Sequence, residues 1–158
     1  MAAPWPRVAD VDWITAIHEA GHAVAAIRAG LVFDRVSVLP DESLEIDGAL
    51  YWDELQESGE IVMPPELLAV VLLAGPCAEA RERGLRFDRM FEGVAATQDR
   101  EAMATLGLSE QQFIAASREA LSLIERDWSS IEQVAEELAD AERLTYHEVE
   151  AIVDAAEA

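Results

Sequence analysis

Two histidines four residues apart, with a glutamate directly after the first, form the segment His18-Glu19-Ala20-Gly21-His22. On a helix, residues four apart lie one above the other on the same face, so both imidazoles can point at one ion. Glu19 then stands beside whatever water that ion holds and can take its proton. The chemistry this pattern serves is hydrolysis by a metal-activated water, with the glutamate as general base. The chain has only three histidines, and two of them are in this segment.

The element that must carry these residues is a helix from an N-cap at Asp12 to about Ala29, stopped by Gly30. Trp13, Ile14, Ile17, Val24 and Ile27 distribute apolar groups around nearly its whole circumference, so the spacing predicts a buried helix. Two histidines and a glutamate in such a place need polar partners, and a metal ion supplies them. Arg35 to Leu39 alternates polar and apolar residues up to Pro40 and reads as a strand. Gly48 to Trp52 is a second short strand candidate, reached through an acidic loop. Pro64-Pro65-Glu66 opens a second central helix, apolar all round over Leu67–Leu73, kinked at Pro76 and ended by Gly84 near Arg83. Residues 85–96 read as a loop, followed by a short helix from Thr97 to Leu106 closed by Gly107. Ser109 with Gln112, and Thr145 with Glu148, make capping boxes for later helices. Amphipathic helices fill the interval to Asp140 with a break near Trp128. The sum is a mostly α (α+β) chain with a small two- or three-stranded sheet beside the histidine helix.

Composition narrows the function. A chain of 158 residues with 51% hydrophobic content suits one domain with a real core, here residues 1–158 with an N-terminal arm over 1–10. A net charge of −21 argues against nucleic acid and anionic membrane surfaces as partners. All eleven basic residues are Arg. The longest apolar stretch, Leu67 to Gly75, falls well short of the roughly 18–20 residues that span a bilayer. The N-terminus lacks the basic-then-apolar pattern of a secretory signal, so a cytoplasmic protein is expected. The single cysteine, Cys77, excludes an internal disulfide and a cysteine-based zinc cluster, and its apolar surroundings mark it as a buried small hydrophobe.

A catalytic zinc usually has three protein ligands and a water. His18 and His22 supply two. Glu79, Glu82, Asp99 and His147 are candidates for the third, and local sequence alone does not choose among them.

Five segments resemble, in order, the peptidase domain of FtsH-type AAA zinc metalloproteases. Ile14-Thr15-Ala16-Ile17-His18-Glu19-Ala20-Gly21-His22-Ala23 is similar to that family's zinc helix, and Asp34–Pro40 to the strand after it. Leu72-Leu73-Ala74-Gly75-Pro76-Cys77-Ala78-Glu79 resembles its Leu-Leu-Gly-Gly-Arg-Ala-Ala-Glu segment, with Pro76 where the family has Arg. Gln98-Asp99 looks like its Asn-Asp-Leu segment, and Arg126 through Val153 resembles its C-terminal helices. The resemblance implies a helical zinc-peptidase domain holding one Zn²⁺ per chain through His18, His22 and Asp99. Glu19 is then the catalytic base, and Glu79 either orients a histidine or replaces Asp99 as ligand. It also supports an extended peptide adding to a sheet edge at Val36, Ser37, Val38 and Leu39. No nucleotide-binding loop is present, so the expected activity is ATP-independent cleavage of short or unfolded peptides, with self-assembly into a homo-oligomer open. The rival expectation is a catalytically weak metal-binding module that docks a partner or a separate ATPase. Intact Glu19 argues against it, because a structural site needs no base. Hydrolysis of something other than a peptide is a third alternative.

Overall fold

Eleven consecutive residues of the first helix, from Ala16 to Ala26, are buried, and so are thirteen of the second, from Leu68 to Ala80. Helices apolar on every side have nowhere to go but the centre, and these two pack against each other there. The computed structural model describes residues 10–38, 49–50, 64–87 and 97–157. Over these the chain is mostly helical: α1 (Asp10–Ala29), β1 (Arg35–Ser37), β2 (Ala49–Leu50), α2 (Pro65–Arg83), α3 (Thr97–Thr105), α4 (Glu110–Arg126), α5 (Trp128–Ala141), β3 (Arg143–Thr145) and α6 (Tyr146–Glu157). Around the central pair, α5 and α6 cover α1, while α3 and α4 cover α2. These outer helices bury one stripe each, such as Ala116, Ala120, Leu123 and Ile124 on α4 or Ile131, Val134, Ala135 and Leu138 on α5. Among the described residues, no helix is long and apolar enough to cross a membrane.

Small side chains set how closely the central helices approach. A Cβ on Gly21 would lie 2.6 Å from the backbone oxygen of Ala74 and 2.8 Å from the Cβ of Ala78, so no larger residue fits between α1 and α2 there. Polar ties hold α1 at both ends. Trp13 Nε1 donates to Glu82 Oε1 at 3.1 Å. Arg28, in the last turn, grips Asp127 through Nε at 3.1 Å and Nη2 at 2.8 Å, and also pairs with Glu157. Asp127 is the residue between α4 and α5, where the sequence predicts a break.

Both predicted capping boxes are present: Ser109 and Gln112 exchange bonds at the start of α4, and Thr145 and Glu148 at the start of α6. Gly84 ends α2 in the left-handed conformation (φ 68°), as a C-terminal glycine should. Helix α2 runs through Pro76 to Arg83, as the sequence leads one to expect. Two details differ from the sequence expectation. Helix α1 begins at Asp10, not after Asp12. The sheet has three antiparallel strands in the order β2-β1-β3, and β3 carries too short a pattern to be read in advance. Val36 pairs with Leu50 on one side and with Leu144 on the other. Strand β1 is thus the central strand, and the free peptide-binding edge expected at Val36, Ser37 and Val38 does not exist over these residues. Val38 N–H is also taken, by the Glu142 carbonyl. Leu39 lies outside the described residues.

Candidate metal centre

Helix α1 carries His18, Glu19 and His22, which are 8%, 6% and 3% exposed; both histidines contact α2. The two imidazoles stand one turn apart, ring centres 4.9 Å from each other and planes inclined at 68°. Donor atoms from His18, Glu19 and His22 all lie within 4.8 Å of one another, within reach of a single ion.

Each ring is fixed through its Nδ1. His22 Nδ1 is 2.8 Å from the backbone oxygen of Val71. A carbonyl can only accept, so the hydrogen is on Nδ1, and Nε2 of the neutral ring is its ligating nitrogen. His18 Nδ1 is 2.8 Å from Glu79 Oε1. Burial pushes the Glu79 carboxyl up, but its bond to His18, the His18 charge and the Arg83 guanidinium outweigh this and hold it below its ordinary range. An ionised Glu79 is again an acceptor, so His18 also carries its hydrogen on Nδ1. A histidine whose far nitrogen donates to a carboxylate or a carbonyl is the arrangement in which protein histidines bind metal.

Helix α2 provides this support at a spacing of four: Val71, Gly75, Glu79 and Arg83. A Cβ on Gly75 would lie 2.3 Å from His22 Nε2 and 2.6 and 2.7 Å from its two neighbouring ring carbons. Such near-equal distances put that position over the face of the ring, not beyond its edge. Gly75 therefore makes room for the imidazole while leaving the in-plane direction of Nε2 clear. The donor set fits a zinc-type ion: two imidazoles, each held through Nδ1, beside a carboxylate.

The other sequence candidates separate. Glu79 is 2% exposed and both its oxygens are engaged, Oε1 by His18 and Oε2 by Arg83 Nε at 2.8 Å. It orients His18 from behind the ring. Glu82 accepts from Trp13. His147 is 87% exposed and 3.7 Å from Glu150. Asp99 is in the first turn of α3, which packs against α2; its side chain lies outside the described residues. Sequence reasoning did not find the Val71 carbonyl, the clearance at Gly75 or the contact of Arg83 with Glu79. The four-residue period from Gly75 through Glu79 to Arg83 was the available signal for the last two. Cys77 is buried and its thiol is pushed up by burial, which suits packing and not reactivity. No protein-family model and no curated protein matches the chain.

Proposed function

We propose that this chain is a zinc metallopeptidase, holding one Zn²⁺ through His18, His22 and Asp99. The observation that supports this reading best is the fixing of both histidines through Nδ1, by Glu79 Oε1 and by the Val71 carbonyl. Histidines that merely satisfied core hydrogen bonds would have no reason to bring ligand atoms within 4.8 Å of each other and of a buried carboxylate. Bound zinc would acidify a water and polarise the substrate carbonyl. Glu19 takes the proton of the attacking water on its carboxylate and returns it to the leaving amine.

The substrate class is a short or unfolded peptide, cleaved without ATP in the cytoplasm. An added peptide strand would use an outer edge of the sheet, and β2 is the outer strand that packs on α1. Glu19→Gln tests the reading. The variant keeps shape and hydrogen-bonding capacity but has no base. It should bind zinc at about one ion per chain by elemental analysis, while peptide turnover falls by ~10²–10⁴. Equal turnover in the two proteins, or no zinc in either, would overturn the reading.

A further inference from the structure

Behind the histidines the polar contacts continue one residue further than metal binding alone requires. Arg83, in the last turn of α2, places Nε 2.8 Å from Glu79 Oε2, while Glu79 Oε1 faces His18. The Glu79 side chain is 3% exposed and that of Arg83 44%, so the guanidinium reaches in from solvent to a carboxylate that water does not reach. We propose that Arg83 is a positioning residue of the metal centre: by fixing Glu79 Oε2 it aims Oε1 at His18 Nδ1, and so sets the direction of His18 Nε2. This inference rests on the metal centre proposed above but not on peptidase activity.

Two physical arguments carry it. First, a glutamate has three rotatable bonds, and a single contact to His18 would leave the carboxylate able to turn about its own axis. A second contact, on the other oxygen, stops that rotation. Second, a carboxylate removed from water is costly unless a cation compensates it. When His18 is a metal ligand it must be neutral, so His18 then offers Glu79 a hydrogen bond and no charge. Arg83 is the other partner of Glu79, and it brings the positive charge. Its placement is also locally determined: a glutamate four residues before an arginine on a helix is the favourable order for such a pair, and Gly84 ends the helix immediately after it.

The test is zinc affinity, measured by competition with a chromophoric chelator, in a double-mutant cycle. Arg83→Ala should weaken zinc binding by about threefold to tenfold, less than the 10–100-fold usual for the group that touches the ligand itself. Arg83→Lys, which keeps a cation at the same turn, should retain most of the affinity. In a Glu79→Gln background, Arg83→Ala should have little further effect, because its influence passes through Glu79. If Arg83→Ala does not fold, Arg83→Lys and Arg83→Gln carry the same comparison, with Gln expected to lose what Lys keeps. Equal affinity in wild type and the Arg83 variants would overturn the inference and leave the zinc reading standing. An undiminished Arg83 effect in the Glu79→Gln background would also overturn it. A wild-type protein that binds no zinc would overturn both.

Discussion

His18 is held from behind by a carboxylate and His22 by a peptide carbonyl, and this difference decides what mutation can reach. The backbone acceptor at Val71 cannot be removed by changing a side chain, whereas Glu79 can. Glu79→Gln should lower zinc affinity by roughly 10–100-fold. Asp99→Asn should lower it further, because it removes a charged group proposed to touch the ion. Chelator competition on both variants checks the order; loss of zinc in Glu79→Gln but not in Asp99→Asn would exchange their roles. The neighbouring Cys77 gives a separate expectation. Burial raises its folded-state pKa above the ordinary value of about 9, so the protonated thiol is favoured in the folded protein. Its contribution to stability is full below pH 9 and is lost as pH climbs through the raised value. Melting temperature should therefore fall as pH rises above about 9, less steeply in Cys77→Ala, and a thiol reagent should react only on unfolding. Fast labelling of the native protein would contradict this. The two histidines and Glu19 were legible in the sequence because their geometry is local: a spacing of four on one helix. Val71 was not, since every residue carries a carbonyl and only the packing of α2 on α1 selects that one.

Helix α1 can aim its histidines only as accurately as it docks on α2, and Gly21 sits where a Cβ would meet the α2 backbone. Gly21→Ala would push a Cβ against the Ala74 oxygen at 2.6 Å, and a backbone atom cannot rotate out of the way. The expected cost is about 1–3 kcal/mol of stability, together with weaker zinc binding, because both ring anchors are on α2. Ser109→Ala, which breaks the capping box of α4, should cost ~1 kcal/mol and leave zinc affinity unchanged. Denaturant unfolding and chelator titration of the two variants separate loss of stability from loss of aim; an affinity loss at Ser109 equal to that at Gly21 would count against the distinction. Most helices could be read in advance because caps, glycines and apolar periods are local signals. The sheet was less legible. Whether Arg35–Ser37 is an edge or a centre depends on its pairing with Arg143–Thr145, more than a hundred residues away, and no local pattern encodes that pairing.

At the scale of the whole molecule, an ion held by α1 and α3 would tie the central helix pair to an outer one. Chelation should then lower the melting temperature, and excess zinc should restore it. At a free concentration of a thousand dissociation constants the stabilisation amounts to about 4 kcal/mol. The effect should fade as pH falls, because a protonated imidazole can no longer bind a metal. A melt insensitive to chelator at neutral pH would argue against a metal linking these elements.

The order of the elements along the chain has a consequence for how the protein is made. Helix α1 comes first, but nearly everything that fixes it comes later: Val71 and Glu79 are 49 and 61 residues on, and Asp127 and Glu157 are 99 and 129. A polypeptide growing from its N-terminus therefore exposes its two histidines long before it can orient them. Until α2 has emerged they are two side chains on a helix without a shell, and until Asp127 and Glu157 follow, the far end of that helix is unfastened. A half-made chain thus carries the histidines of the candidate centre without their alignment, and any activity of the proposed kind would begin only once the later elements had closed around them.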